Sequence, residues 1–252
     1  MEPAEYQRLA AYESWYWWYR AERDVLIDTV DRLGLRPGAR VLDAGCGTGH
    51  NLVELRRALG IRAFGVDISA HAAALWNGAV GVRRCMGSVN RLPYGDDTFD
   101  AVVSVDVFGN RQVDAPAAMA EARRVLRPGG AMVLLAPAYQ WLLSTHDAAV
   151  HWVRRFRRKE LCGMATAAGL TIEHSTYLFS LVFPMVVATR LYRRARTAPR
   201  PASPTSDLAP LPSWINRALL AVVRAEHRIT RVRRAPFGST ILTVARKAGT
   251  AA

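Results

Sequence analysis

Three alternating glycines, Gly45, Gly47 and Gly49, follow a short apolar run that ends in Asp43. Because glycine lacks a Cβ, a loop of this composition lets the backbone approach a ligand where any side chain would collide. A second apolar run ends in Asp67, eighteen residues after Gly49, where a carboxylate can accept hydrogen bonds from ribose hydroxyls. Together these features predict a site for a nucleoside-containing ligand on a parallel β-sheet.

Apolar runs and helical patterns alternate along most of the chain, a rhythm typical of a parallel sheet with crossover helices. The predicted strands cover residues 40–43, 61–67, 82–86, 99–106, 131–136, 170–177 and 239–245. The predicted helices cover residues 50–59, 70–78, 115–126 and 158–168, and residues 6–30 form one or two more. The Arg127-Pro128-Gly129-Gly130 sequence predicts a sharp turn before the fifth strand.

The last two predicted strands flank a long insertion, residues 178–236. It contains two helical stretches, 178–196 and 214–232, joined by a proline- and serine-rich segment that is typical of a loop, 197–212. We expect both helices to pack over the carboxyl edge of the sheet, opposite the N-terminal segment. The apolar start of the insertion, residues 179–187, either lines an acceptor pocket, packs against the sheet, or lies on anionic lipid.

Three units follow from this pattern. Residues 1–30 form an aromatic helical cap, and residues 31–177 with 237–248 form the sheet core. Residues 178–236 form a helical insertion that we expect to bind the acceptor.

Composition sets limits on the class of protein. The 252 residues are 50% hydrophobic and carry a formal net charge of +13, which would attract nucleic acid or an anionic membrane. Nearly all of that charge is arginine, a skew that a GC-rich genome also produces; Lys159 and Lys247 are the only lysines. Three widely spaced cysteines suit neither a disulfide framework nor a zinc site. No apolar run matches a membrane span or a signal peptide, so we expect a cytoplasmic protein, and peripheral membrane contact stays open.

Five segments occur in the order found in class I S-adenosylmethionine-dependent methyltransferases, and the chain therefore resembles that family. They are the Asp43–Gly49 motif, Asp67, the Leu92–Asp100 segment, Asp106 and the Arg124–Gly130 segment. The aromatic Trp15–Arg20 segment is similar to that of small-molecule, type 11-like members. The resemblance implies S-adenosyl-L-methionine as the cofactor. It also implies a Rossmann-like fold: a seven-stranded, mostly parallel sheet with helices on both faces, an antiparallel last strand and a helical insertion before that strand.

The resemblance also assigns cofactor-binding residues. Asp43 is expected near the methionine amino group, the three glycines along the methionine and ribose, and Asp67 at the ribose hydroxyls. The other residues expected at the cofactor are Cys46, Ile68, Ser88, Val89, Asp106, Tyr16, Trp17 and Arg20. The aromatic segment either covers the ligands as a lid, excluding water and facing the sulfonium, or packs on the sheet edge.

Three polar residues after the fifth strand are candidates for the chemistry. His146, Asp147 and His151 follow the carboxyl end of that strand, where ligands bind in such sheets. They either move a proton or orient the acceptor, or else His146 caps a loop and His151 lies on the surface. No metal is expected, because nothing else in the sequence completes a ligand set.

The sequence therefore favours methyl transfer from S-adenosylmethionine to a small, largely apolar acceptor, such as a specialised metabolite or a lipid-linked precursor. The net charge leaves RNA methylation as an alternative, although we expect no nucleic-acid partner because no separate binding module is visible. A membrane-surface protein that binds the cofactor without turnover is the third hypothesis.

Overall fold

The computed structural model describes residues 1–76, 78, 81–195 and 210–249, which form a seven-stranded sheet covered by helices. The strands are β1 Arg40–Ala44, β2 Arg62–Asp67, β3 Val82–Met86, β4 Phe99–Val105, β5 Leu126–Pro137, β6 Leu170–Leu178 and β7 Thr240–Lys247. The helices are α1 Pro3–Tyr12, α2 Trp17–Asp31, α3 His50–Leu59, α4 Ala70–Ala74, α5 Ala115–Val125, α6 Thr145–Ala149, α7 Arg158–Ala167, α8 Phe183–Ala195 and α9 Ser213–Thr230.

The strand order is β3-β2-β1-β4-β5-β7-β6. The neighbouring strands from β3 to β5 are parallel, and β7 lies antiparallel between β5 and β6. The predicted fold class, including the antiparallel last strand, is confirmed. Because the chain runs outward in both directions from β1 and β4, the carboxyl ends of these two strands border a crevice in which α/β proteins bind ligands.

Both faces of the sheet are covered, since side chains along each strand alternate between two apolar clusters. In β4, Val102 belongs to the cluster that contains residues of α5 and α7. Its neighbours Ala101 and Val103 belong to the cluster that contains residues of α2, α3 and α9. The continuous apolar run of β4 is therefore buried on both sides, as its composition predicts.

Strand β5 starts earlier than predicted. Leu126 pairs with Phe99, and a register irregularity then brings Ala131 opposite Ala101. The predicted turn at residues 127–130 is therefore an irregularity inside the strand. Gly129 takes the left-handed conformation there, with φ at +76°, which a side chain rarely adopts.

Helix boundaries also differ from the sequence pattern. The predicted helical region 6–30 is interrupted between α1 and α2, and α4 ends at Ala74 instead of residue 78. The short helix α6 was not predicted. Most of the predicted 197–212 loop lies outside the described residues.

The two insertion helices have different surroundings. Asn216 of α9 accepts a hydrogen bond from the Trp17 N–H (2.8 Å) and donates one to the Trp15 carbonyl (2.9 Å). Leu220 and Val223 are buried in the cluster that also contains α2 residues. Helix α9 therefore departs from the expectation that it lies opposite the aromatic segment, because its apolar stripe packs beside that segment. No helix in the described ranges is both long and apolar enough to cross a bilayer.

Glu226 ties the two insertion helices together. Its buried carboxylate accepts hydrogen bonds from the N–H groups of Ser180 (2.7 Å) and Leu181 (2.9 Å), just before α8 begins. The position of α8 therefore depends on α9, which in turn is held by α2.

Replacing Asn216 by alanine should lower the free energy of unfolding by about 1 to 3 kcal/mol, because the buried Trp17 N–H would lose its acceptor. Urea denaturation is the measurement, and Arg217→Ala, at an exposed neighbouring position, is the matched control. Equal stability of the two variants would contradict this account of the α2–α9 contact.

Candidate functional site

A cavity of about 440 Å³ lies at the carboxyl ends of β1 to β5. Its walls come from the glycine loop after β1, the loops after β2 to β5, both N-terminal helices and α8. The volume and the position match those of ligand pockets in α/β proteins. The cavity borders both the predicted nucleoside site and the first helix of the insertion.

The glycine loop is fixed by hydrogen bonds to β2. The N–H groups of Gly45 and Cys46 donate to the Val66 carbonyl, at 2.8 and 3.0 Å. Gly45 has φ at +92°, and a Cβ there would lie 2.3 Å from Cγ2 of Val107. The loop therefore requires glycine at this position and keeps its backbone at the cavity wall.

Cys46 is buried and borders the cavity. Burial raises the pKa of its thiol, so the group stays protonated and unreactive at neutral pH. Cys46 therefore fits a packing residue in the cavity wall.

Gly49 is not among the residues that line the cavity. It precedes α3 in the left-handed conformation, with φ at +83°, and a Cβ there would lie 2.5 Å from the Arg84 guanidinium. Glycine is therefore required here by the left-handed conformation before α3 and by the close approach of Arg84. The structure does not place Gly49 at the cavity, where it was expected to contact the ligand.

Asp67 links β2 to the glycine loop. Its carboxylate accepts hydrogen bonds from the Gly47 N–H (2.8 Å) and the Ser69 N–H (2.9 Å), and burial raises its pKa. The next residue, Ile68, is 50% exposed and borders the cavity together with Ser88 and Val89. The structure thus brings a carboxylate and an apolar surface together, as the sequence predicts.

Asp43, at the end of β1, is 2% exposed. No donor among the described residues contacts its Oδ1 atom, which is itself buried. Burial, with a smaller contribution from Asp67, raises the pKa of the Asp43 carboxyl to about 7. A buried carboxyl without a donor beside a cavity is suited to a cationic group.

The α2 helix presents a different face to the cavity than the sequence predicts. Tyr16 and Trp17 border the cavity, but Arg20 does not. The other α2 residues that border the cavity are Trp18, Tyr19, Glu22 and Arg23. Because the helix has 3.6 residues per turn, Glu22 and Arg23 lie about one turn after Trp18 and Tyr19. Arg23 is buried, donates to the Glu13 carbonyl (2.9 Å) and is the α2 arginine that borders the cavity.

Glu22, which sequence reasoning missed, forms a carboxyl pair with Asp106, which was expected at the cofactor. Asp106 follows β4, and both residues border the cavity. Burial and the nearby Asp106 raise the pKa of Glu22 well above its ordinary value. Burial likewise raises the pKa of Asp106 to about 7, although Arg155 opposes that shift. An acidic residue one helical turn after Trp18 was the available signal for Glu22, since i and i+4 residues share a helix face.

The three residues predicted for the chemistry separate in the structure. His146 borders the cavity, with its ring edge-on to Trp152 at 6.2 Å between centroids. His151 does not border it; its ring bonds the Met1 amino group (2.9 Å) and the Glu2 carboxylate (2.7 Å). The described residues contain no cluster of three or more His, Cys, Asp or Glu side chains arranged to hold a metal ion.

Asp147 lies behind the cavity wall, not in it. It is 1% exposed, and it accepts hydrogen bonds from Arg155 (2.7 Å) and Arg190 (2.9 Å). Burial alone would raise the pKa of Asp147, but the two guanidinium groups hold it below its ordinary value. Asp147 is therefore an ionised anchor for two arginines that do border the cavity, which corrects its expected contact with the acceptor.

Comparisons with known proteins agree with this geometry. Residues 16–175 match a family described as a methyltransferase domain. A demethylmenaquinone methyltransferase from Mycolicibacterium paratuberculosis (strain ATCC BAA-968 / K-10) is 41% identical over 107 residues, covering 42% of this chain and 45% of that protein. A protein of the same name from Mycobacterium sp. (strain KMS) is 32% identical over 172 residues, covering 68% and 71%. The chain thus spans about half the length of the first of these relatives.

A solved structure is similar over most of the chain. It is a geranyl diphosphate C-methyltransferase from Streptomyces coelicolor A3(2), in complex with Mg²⁺, geranyl-S-thiolodiphosphate and S-adenosyl-L-homocysteine. The TM-score is 0.61 at 21% identity, covering 91% of this chain and 76% of that one. At this identity the likeness shows a shared fold.

Raised carboxyl pKa values make a specific prediction for stability. Because the folded state holds the Asp43 proton more tightly than the unfolded chain, the free energy of unfolding should fall as pH rises from about 4 to about 7. Asp43→Asn should remove up to about 4 kcal/mol of that fall, at 1.36 kcal/mol for each pKa unit. Urea denaturation across this pH range measures it, with Asp31→Asn at an exposed site as the control. Parallel pH profiles for wild type and Asp43→Asn would contradict the assignment.

Proposed function

The chain belongs to the methyltransferase family that uses S-adenosyl-L-methionine, and on that premise we propose that it methylates a small, largely apolar acceptor. The observation that carries the proposal is that one cavity joins two unlike ends. The glycine loop and Asp67 border one end, and the aromatic face of α2 and the apolar face of α8 border the other.

We assign the first end to the cofactor. The close approach at Gly45 and the backbone-bonded carboxylate of Asp67 support binding of the ribose, and Ile68 supports contact with the adenine ring. The donor-free oxygen of Asp43 fits the methionine ammonium group, and Arg23 fits the methionine carboxylate. Ser88 and Val89 complete the wall beside Ile68.

The bound cofactor supplies a methyl group on a positively charged sulfonium. The protein must therefore orient the acceptor, exclude water and accept any proton that the acceptor loses. Tyr16, Trp17 and Trp18 fit the role of excluding water, and aromatic faces also attract a sulfonium through cation–π interaction. His146 also borders the cavity, and we assign it the role of orienting the acceptor.

We assign the second end of the cavity to the acceptor. Met185 and Val186 of α8 provide an apolar wall, while Arg155 and Arg190 provide a cationic edge. The relatives named above are named for demethylmenaquinone, and the similar structure contains a geranyl diphosphate analogue. Each acceptor joins an apolar chain to a polar head, and an acceptor of that class fits a wall of this composition.

We also propose that the chain takes up such an acceptor from an anionic membrane surface. Trp141, Phe183 and Phe237 form a chain of ring contacts, at 6.3 and 5.8 Å between centroids. Trp141 is 46% exposed and Phe237 43%, and the preceding Leu181 is 62% exposed. This apolar face, Trp141–Leu181–Phe183–Phe237, adjoins α8, whose Met185 also borders the cavity. The net charge of +13 supports an anionic lipid surface as the contact.

Methyl-labelled S-adenosylmethionine, incubated with the protein and a total cell extract, should transfer label to the fraction soluble in organic solvent and not to RNA. Val186→Trp fills the acceptor end of the cavity, so it should reduce that transfer at least about 10-fold, an effect on the scale of a steric clash. Affinity for S-adenosylhomocysteine, measured by calorimetry, should stay within about twofold, well under the tenfold that 1.4 kcal/mol represents.

Ala188→Trp, at an exposed position on the same helix, is the control and should keep wild-type transfer. Label found in RNA alone would contradict the proposed acceptor class. Failure of the wild type to bind S-adenosylhomocysteine would contradict the cofactor assignments.

Leu181→Glu should weaken binding to vesicles that contain phosphatidylglycerol, because a charged group replaces an apolar side chain on the apolar face defined above. Co-sedimentation measures this, and salt should weaken wild-type binding as well. Arg217→Glu on α9 is the control for the effect of the introduced negative charge. Thr189→Glu cannot serve as that control, because Thr189 borders the cavity. Vesicle binding that is equal in wild type and Leu181→Glu would refute the membrane contact.

A further inference from the structure

We propose that Glu22 and Asp106 share one proton and together take the proton of an acidic hydroxyl group on the acceptor. This inference rests on the proposed methyl transfer and narrows the acceptor to phenols and enols. It assigns a proton-accepting role to a residue of the N-terminal helix, outside the glycine loop and the strand ends.

The first observation is geometric. Glu22 is 5% exposed and Asp106 directly follows β4, and both side chains border the cavity. Among the described residues no donor contacts Oε1 of Glu22 or Oδ1 of Asp106, and both atoms are buried. The two carboxyl groups lie close enough together to affect each other's pKa, and the Trp18 side chain lies beside Glu22.

Two adjacent buried carboxylates cannot both be ionised, since like charges at that distance and in that environment repel strongly. One shared proton removes the repulsion and gives the two otherwise unpaired oxygens a common hydrogen bond. The pair then titrates as a unit, with one proton held through neutral pH.

The charged and titratable groups around the pair favour this state. Tyr19 lies three positions before Glu22 on α2. It is a neutral neighbour of the pair because burial raises the pKa of its phenol. Arg155 acts on Asp106, but it is also bonded to Asp147 at 2.7 Å. The Arg155 guanidinium is therefore divided between two carboxylates and does not keep both members of the pair ionised.

Both members are held in fixed positions. Asp106 takes the left-handed conformation, with φ at +59°, and its N–H donates to the Leu135 carbonyl (3.0 Å). Glu22 is carried by α2, where Leu26, one turn later, is fully buried in the sheet-face cluster. Preorganised groups of this kind are suited to proton transfer, because they need no rearrangement at the moment of reaction.

The acceptor class follows from the charges on the cavity wall. Arg155 and Arg190 share the single carboxylate of Asp147, so these three groups together carry one net positive charge. The carboxyl pair loses its own negative charge when it takes the acceptor's proton, and the positive charge of the arginines then stabilises the developing oxyanion. The apolar wall from α8 favours an aromatic or enolic ring as the carrier of the hydroxyl.

In the proposed step the acceptor gives its proton to the carboxyl pair and receives the methyl group. The acceptor O–H bond breaks and its proton moves to the carboxyl pair, which then holds two protons. The electron pair that is released on the acceptor forms the new bond to the methyl carbon. The carbon–sulfur bond breaks with its electrons on sulfur, and the extra proton leaves the pair to solvent after the product departs.

Infrared spectroscopy tests the shared proton without any acceptor. In protein saturated with S-adenosylhomocysteine at neutral pH, the wild type should show the C=O band of a protonated carboxyl that is lost or shifted in Glu22→Gln and Asp106→Asn. Asp24→Asn, at a partly exposed site on the same helix that pairs with Arg224 of α9, is the control and should leave the band unchanged. A band that is insensitive to both Glu22→Gln and Asp106→Asn would overturn the proposal.

Ligand binding tests the acceptor role with two matched probes, 1-naphthol and naphthalene, on the same saturated protein. The wild type should bind 1-naphthol about 10- to 100-fold more tightly, the scale of one hydrogen bond to a charged group. Glu22→Leu should reduce that preference about 10-fold, and Asp24→Asn should keep it. Equal affinity for the two probes, or binding of neither, would overturn the acceptor role.

The outcome is separable from that of the proposed function. Binding of S-adenosylhomocysteine by the wild type and by all the variants keeps the methyltransferase assignment while the infrared and naphthol results decide on the pair. Loss of cofactor binding in the wild type would instead refute the cofactor assignments.

Discussion

Burial of carboxyl groups at one edge of the sheet is the constraint on which the rest of the site depends. Asp43, Asp67, Asp106 and Glu22 all border one cavity, and burial raises the pKa of each. Only Asp67 has its oxygens bonded to backbone N–H groups of the loop. An acidic wall with unpaired carboxyl oxygens favours a cationic ligand, and S-adenosylmethionine carries both an ammonium and a sulfonium.

The cationic edge of the same cavity is assembled from distant segments. Asp147 holds Arg155 from the region after β5 and Arg190 from α8, and both guanidinium groups border the cavity. Removing one member of a buried ion pair leaves an uncompensated charge, which costs several kcal/mol more than the pair itself contributes. The first insertion helix is therefore coupled to the sheet through charge as well as through apolar packing, so an insertion remote in sequence becomes part of the site wall.

The fold was largely predictable from the sequence, whereas the details of the site were not. Strand runs and the glycine loop are local signals, and the structure keeps them with shifts of a few residues. The direction of a side chain on a helix depends on helical phase, so Arg20 was expected where Arg23 lies and Glu22 was missed. His151 and Asp147 follow the correct strand, but sequence position did not reveal that one contacts the N-terminus and the other lies beneath the wall.

The predicted N-terminal cap consists of two helices with different roles. Helix α1 buries Glu5 and Tyr6, whereas α2 contributes Val25, Leu26 and Val30 to the cluster on one face of the sheet. Helix α2 cannot leave the cavity without exposing those side chains, and each large aliphatic side chain contributes about 1.5 to 3 kcal/mol on burial. Its cavity-facing residues are therefore carried by a helix anchored in the core, whereas α1 buries fewer side chains.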